Sequence, residues 1–186
     1  MKFNVMGAKI ITYGLLLGLF SAYLSVYETA QLKMTNVICK SENKSLIYVN
    51  ECRLRAINRN ITILNLNISM LFSSSNILLD MQILKKANGY KPWIVKTVVD
   101  VCKFVKKFNN PILKVVYTIS KEYSNLNHSC PYMGYQLIKG FHVHPKQLHL
   151  PFPTGDYLLT LKWIYDKRFL LTTDVYFSFT ENIIDM

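Results

Sequence analysis

Tyr157 to Phe179 reads YLLTLKWIYDKRFLLTTDVYFSF, and this stretch decides the fold. In its first half Tyr157, Leu159, Leu161, Trp163 and Tyr165 fall on every second position. In its second half Phe169, Leu171, Thr173, Val175, Phe177 and Phe179 do the same. A period of two sends successive side chains to opposite faces of an extended chain, so each half reads as a β-strand with one face buried. Asp166-Lys167 lies between them, where a short turn can join antiparallel neighbours.

The alternation recurs upstream. Thr62, Leu64, Leu66, Ile68, Met70 and Phe72 share a face, opposite Asn65, Asn67 and Ser69. Ile77, Leu79, Met81 and Ile83 share another, opposite Asp80 and Gln82. Trp93, Val95, Thr97 and Val99 form a further strand, whose Pro92 restricts its start to an edge or first-residue position. Asn88-Gly89 before it predicts a type I′ hairpin, because both residues tolerate positive φ. Met34–Lys40 and Leu46–Ile57 give two earlier strands that carry Cys39 and Cys52.

One segment departs from this period. Asn110-Pro111 is a helix start, with Asn as the cap and Pro at the first helical position. Ile112, Val115, Val116, Ile119 and Tyr123 then recur at helical spacing. Seven or eight short strands with one helical insert, at about residues 101–125, predict a mostly β fold. The architecture expected is a two-sheet antiparallel sandwich of immunoglobulin-like type. No repeat, low-complexity tract or second domain is visible, so residues 31–186 are read as one domain.

The N-terminus speaks to compartment. Lys2 and Lys9 precede an uncharged run from Ile10 to Tyr27, the pattern of a secretory signal within residues 1–30. Its length also approaches that of a bilayer span, so retention as a membrane anchor is the alternative, with the remainder outside in either case. Four cysteines follow, Cys39, Cys52, Cys102 and Cys130, and behind such a leader an even count reads as a disulfide framework. Four N-glycosylation triplets begin at Asn43, Asn60, Asn67 and Asn127. Asn67 falls on the polar side of its strand, where a glycan can reach solvent. The reading is a secreted, extracellular glycoprotein.

The chain carries a formal net charge of +11. For an exported protein this excludes nucleic acid as a natural partner and leaves anionic lipid head groups or acidic glycans. Lys103, Lys106, Lys107 and Lys114 cluster, with Phe104, Val105 and Phe108 among them. The simpler reading of that cluster is the solvated face of a helix.

Four phrases then stand out together: Asn88-Gly89-Tyr90-Lys91-Pro92-Trp93, Val99-Asp100-Val101-Cys102-Lys103-Phe104, the run from Tyr123 through Asn127-His128-Ser129-Cys130 to Pro131-Tyr132, and Leu150-Pro151-Phe152-Pro153-Thr154-Gly155-Asp156-Tyr157. In combination, from about Met34 to Phe179, the chain resembles a large insect family of small secreted proteins similar to the chemosensory-B proteins. More distantly it is similar to the ganglioside-activator and lipid-recognition (ML) proteins. The resemblance implies an ML-like two-sheet cup whose hydrophobic cavity holds a lipid, hydrocarbon or sterol, with no catalytic residue and no cofactor. Pro153–Tyr157 is similar to the turn that leads into a late strand of lipid-recognition domains.

Four cysteines allow three pairings. The strand positions and the resemblance together favour Cys39–Cys52, tying the first two strands, and Cys102–Cys130, closing the helical insert.

If the domain is a cup, its wall is drawn from the inward positions Leu66, Ile68, Met70, Ile83, Trp93, Leu161, Trp163 and Phe177. Alternation predicts a filled core equally well, and an interior void above roughly 300 Å³ separates the two readings. His142, His144 and His149 cluster, and the first two share one side of an extended segment. With every Cys committed and no carboxylate nearby in sequence, these read as surface histidines and no metal is expected. His128 reads as a loop hydrogen-bonder. No Gly-x-Ser-x-Gly, His-Glu-x-x-His, Cys-x-x-Cys or phosphate-binding glycine loop occurs, so no enzyme is expected. Two functions follow. One is a secreted carrier or presenter of a hydrophobic small molecule, in chemosensation or lipid traffic. The other is an immunoglobulin-like module without a cavity that binds a cell-surface receptor.

Overall fold

The computed structural model describes residues 30–144, 147 and 152–181. The leader, the alternative anchor at 10–27 and His149 lie outside the described residues. Ala30–Glu181 form one compact unit, and no helix among the described residues is long and apolar enough to cross a membrane.

Eight strands run in chain order: β1 (Gln31–Ser41), β2 (Ile47–Ala56), β3 (Thr62–Ser74), β4 (Ile77–Ala87), β5 (Gly89–Asp100), β6 (Tyr132–Phe141), β7 (Gly155–Tyr165) and β8 (Arg168–Thr180). Two helices, α1 (Val101–Lys107) and α2 (Pro111–Ser120), separate β5 from β6. The strands form two antiparallel sheets, in the order β1-β8-β7-β4-β5 and β2-β3-β6. The result is the mostly β, two-sheet sandwich with a helical insert that the period-two pattern predicts.

Alternation places most of the core. Leu79, Met81 and Ile83 of β4, Val175, Phe177 and Phe179 of β8, and Ile68 and Met70 of β3 are all buried. The sheets differ in width, and their open sides are closed by different means. On one side β1 and β2, each at a sheet edge, are joined by Cys39–Cys52, with Cα atoms 6.1 Å apart. On the other, the helices fill the interval between β5 and β6, and Cys102–Cys130 ties α1 to the approach to β6.

Both helices carry their own start signals. Asp100 Oδ1 accepts from the Lys103 N–H at 2.9 Å, and Asn110 Oδ1 accepts from the Leu113 N–H at 2.9 Å, with Pro111 at the first turn. These bonds satisfy N–H groups that a helix start otherwise leaves free. Phe108, at φ 47°, ends α1 in the left-handed conformation and turns the chain toward α2. Phe104, fully buried, meets Phe108 and Tyr117 edge-on at 5.4 and 5.8 Å and so locks the helices together.

Three details differ from the sequence reading. The type I′ requirement of positive φ at both central residues is met at Asp166 and Lys167, at 49° and 66°, where Tyr165 pairs with Arg168. At Asn88-Gly89 only the glycine has positive φ. Phe169 is 43% exposed rather than inward, because the β7/β8 register shifts between Trp163 and Ile164, and Leu170 is buried in its place. Such a bulge turns over the phase of every residue beyond it.

The third difference is β6, which the sequence pattern does not reveal. Its alternation is inverted: Met133, Tyr135 and Leu137 are exposed, whereas Tyr132 and Gln136 are buried. Gly134 and Gly140, at φ 74° and 69°, accompany register shifts against β3 at its two ends. Glycine tolerates that conformation without strain, which lets the strand bend around the helices beside it.

Candidate functional site

Between the sheets lies a cavity of about 560 Å³. Its walls are the inward side chains of β3, β4, β7 and β8, and its third side is the apolar stripe of the helices, including Val105, Ile112, Val116 and Ile119. The helices therefore do not lie flat on a finished core. Wedged at the β5/β6 side, they add a wall where two sheets of five and three strands would otherwise close on each other.

Of the residues chosen from the sequence, Leu66, Ile68, Met70, Ile83, Leu161, Trp163 and Phe177 line this space. Trp93 does not, and that placement is corrected. It sits near the start of edge strand β5, and its indole is taken up by Phe152 and Tyr157, each at 5.1 Å between ring centres. Tyr157 in turn stacks on Phe177 at 5.3 Å, and Phe152 meets Phe179 at 5.8 Å. These rings make a solid plug next to the cavity. Strand alternation leaves out the helical residues of the wall, and it leaves out the inward residues of β6 because the exposed Met133, Tyr135 and Leu137 mask that strand's buried face.

The cavity is electrically neutral. Among the described residues no Asp, Glu, Lys, Arg or His side chain lines it. Its polar members are Ser120, Gln136, Thr173 and the phenols of Tyr117, Tyr132 and Tyr165. Burial, with a smaller contribution from Tyr117, pushes the Tyr132 phenol up to about 12, and burial raises Tyr165 as well. Both stay protonated at physiological pH. The Tyr132 hydroxyl donates to the His128 carbonyl at 2.6 Å. A site of this kind holds a molecule by burying apolar area.

The histidines lie elsewhere. His142 Nε2 and His144 Nε2 share a hydrogen bond at 3.1 Å, and Tyr123 meets His142 edge-on at 5.5 Å. No group of three metal-ligating side chains occurs among the described residues. His128 Nδ1 lies 2.8 Å from the Ser129 carbonyl in the loop before β6. Asn43, Asn60 and Asn127 are exposed in turns and loops. Asn67, half-buried on the outer face of β3, accepts through Oδ1 from Asn50 at 3.1 Å. Lys103, Lys106, Lys107 and Lys114 are exposed on the outer faces of the two helices.

Residues 79–159 match the model of a family described as "Protein of unknown function (DUF1091)". No curated protein matches the chain. Among solved structures the chain is similar to chicken MD-1, determined in complex with lipid IVa. The identity is 12%, the likeness covers 84% of this chain and 99% of that one, and the TM-score is 0.32. It is also similar to a Niemann-Pick type C2 protein from the Japanese carpenter ant, at 9% identity over 79% of this chain and 90% of that one, with a TM-score of 0.30. At such identities and scores, neither likeness carries a ligand over to this chain.

Proposed function

We propose that this chain is a non-enzymatic carrier or presenter that holds one small hydrophobic molecule between its sheets. The observation that carries the proposal is the neutral cavity of about 560 Å³, within the range of roughly 300–1,000 Å³ typical of small-molecule sites. A sandwich with no use for internal space closes to crystal-like density, since each unfilled volume forfeits dispersion contacts. Two disulfides, four glycosylation triplets and a leader-like N-terminus support delivery outside the cell, with chemosensation or lipid traffic as the setting. The exposed lysines of α1 and α2 are the side proposed to meet an anionic membrane surface.

The alternative, a receptor-binding module, has one feature in its favour. Leu71, Met133 and Tyr135 are each more than 60% exposed, and exposed apolar patches mark contact surfaces. It leaves the internal cavity without a purpose. Titration with an environment-sensitive apolar fluorophore separates the two readings. A carrier takes up about one probe per chain, and hydrocarbon competitors displace it. A module without a ligand gives neither saturation nor displacement.

A further inference from the structure

The outer face of the three-stranded sheet is apolar where it meets water. Tyr48 of β2 and Tyr135 of β6 flank Ser69 of β3 in one cross-strand row. Leu71 continues β3 past that row, and Met133 and Leu137 stand on either side of Tyr135 on the same face of β6. Tyr48, Leu71, Met133 and Tyr135 are each more than half exposed, and Leu137 is 39% exposed. Apolar side chains scattered singly over a surface are ordinary, but five on one face are not. The inner face of the same sheet lines the cavity, so these side chains contribute nothing to that wall.

The glycosylation triplet Asn67-Ile68-Ser69 lies within this patch. Ile68 turns in to the cavity, whereas Asn67 and Ser69 take the outer face. Asn67 pairs with Leu137 on one side and Glu51 on the other. A register shift between Val49 and Glu51 makes Asn50 the extra residue of β2. Its Nδ2 donates to Ser69 Oγ at 2.6 Å and to Asn67 Oδ1 at 3.1 Å. The Asn67 amide is thus held by its oxygen. Its Nδ2, the atom that carries a glycan, has no partner among the described residues. Strands lie about 4.8 Å apart and rise about 3.4 Å per residue, so Asn67 is about 7 Å from the row of Tyr48 and Tyr135, and those two are about 10 Å apart. In the opposite direction the next row is Arg53 and Asn65, which is polar. The other three triplet asparagines stand in exposed turns and loops, with no sheet face beneath them.

We infer that Asn67 carries an N-linked glycan whose first sugars lie back over Tyr48, Tyr135 and Leu71, so that the chain's own carbohydrate covers this face. In the attachment step Asn67 Nδ2 attacks the anomeric carbon of an N-acetylglucosamine held as its lipid pyrophosphate. A C–N bond forms, the bond from that carbon to the pyrophosphate oxygen breaks, the lipid pyrophosphate departs, and a base of the transferring enzyme takes the Nδ2 proton. The step precedes folding, when the triplet is unpaired, so the half-burial of Asn67 in the finished sheet does not oppose it. An N-acetylglucosamine ring offers C–H bonds on its flat faces and a methyl on its acetamido group. Both pack on the electron-rich face of a tyrosine ring, while the hydroxyls at the ring edge stay in water. A sugar tethered about two residues away contacts the patch at the high effective concentration of an intramolecular partner, which a free protein cannot match without strong affinity. The inference rests on the reading that the chain is exported, and it takes from the receptor-module alternative the surface in its favour.

The test is made on full-length chain secreted from insect cells, by glycopeptide mapping and hydroxyl-radical footprinting of the folded protein. Asn67 should be occupied, and Tyr48, Met133 and Tyr135 should be modified slowly for side chains so exposed. Asn67→Gln and Ser69→Ala each remove the triplet by a different change, and each should raise modification of those three residues severalfold. Asn60→Gln, which removes a glycan before the start of β3, at the far end of that strand from Leu71, should leave them unchanged. If neither Asn67→Gln nor Ser69→Ala is secreted, enzymatic removal of the glycans from folded wild type decides, with the same rise expected. An unmodified Asn67 in a chain glycosylated at other triplets would overturn the inference and leave export standing. Occupancy at Asn67 with no change in footprint on its loss would overturn it too, since the glycan would then project into water and leave the face open to a partner. A secreted-pathway chain with no triplet modified would remove the glycan altogether, and a chain that never enters that pathway would take the export reading down with it.

Discussion

Cys102, in the first turn of α1, is bonded to Cys130, two residues before β6, with Cα atoms 5.6 Å apart. Every residue of both helices except Val101 lies inside the loop this bond closes. That loop supplies one wall of the cavity, so the bond bears on binding as well as on stability. Replacing both residues with Ala should cost about 3.5 kcal/mol in the loop-entropy account. It should also speed release of an apolar probe, because the helical wall is then held by packing alone. Removing Cys39–Cys52 should cost about 3 kcal/mol with little change in release rate. Denaturant melts and stopped-flow release measure both quantities, and equal release rates for the two variants would contradict this assignment of roles.

Phe104 is the packing counterpart of that bond. It is 1% exposed, lines the cavity and holds Phe108 and Tyr117 by ring-edge contacts. Phe104→Ala should destabilise the domain by about 3–5 kcal/mol, the range for a buried aromatic truncated to Ala. A loss below about 1 kcal/mol in a urea melt would mean that the helices are not anchored through this ring.

Filling the cavity should separate stability from binding. In a solid core, a larger side chain at Ile68 would cost about 1–3 kcal/mol through overpacking. Here Ile68→Trp has the cavity to grow into, so its melting temperature should stay close to wild type while probe affinity falls at least tenfold. A large stability loss with unchanged affinity would show that Ile68 does not face usable space.

The buried phenols set an alkaline limit. In the unfolded chain both Tyr132 and Tyr165 titrate near 10, whereas in the fold burial raises both, Tyr132 to about 12. Below about pH 10 the two states hold the same phenolic protons, and these groups give stability no slope. Above it the unfolded chain loses protons that the folded chain keeps, so stability falls as pH rises through about 12. Thermal melts should be flat in this respect up to about pH 10 and decline beyond it, less steeply in Tyr132→Phe. An identical decline in that variant would remove Tyr132 from the account.

The lysines on the helices should matter at membranes and not in the cavity. Lys106→Glu with Lys114→Glu should weaken partition to vesicles containing anionic phosphatidylserine by at least tenfold at low salt, given about 1 kcal/mol per basic residue near such a surface. Affinity for an apolar probe in solution should not change. Moderate salt should weaken the wild type toward the variant. Partition by the variant equal to wild type at low salt would assign the lysines to solvation alone.

Much of this arrangement is legible in the sequence, and the exceptions share a physical reason. Alternation identifies inward positions wherever one strand face is apolar, which is why β3, β4, β7 and β8 and seven of the eight chosen wall residues could be read directly. It fails for β6, where glycine and glutamine point inward and Met133, Tyr135 and Leu137 point out. It misplaces Phe169 because a bulge changes phase without leaving a mark in composition. It misassigns Trp93 because period two reports which face a side chain takes, not what lies opposite it. The cavity itself is illegible for the same reason. Its volume depends on how far a helical wedge holds two sheets apart, a distance that no strand encodes.

The central claim is that the space between the sheets is made to be occupied. Native mass spectrometry of the glycosylated protein, secreted from insect cells and sprayed under conditions that preserve complexes, tests it most directly. The account predicts one bound neutral molecule of lipid mass per chain, or, where the protein emerges empty, uptake of one equivalent from a panel of apolar alcohols and hydrocarbons. A protein that carries nothing and takes up none of the panel would contradict it.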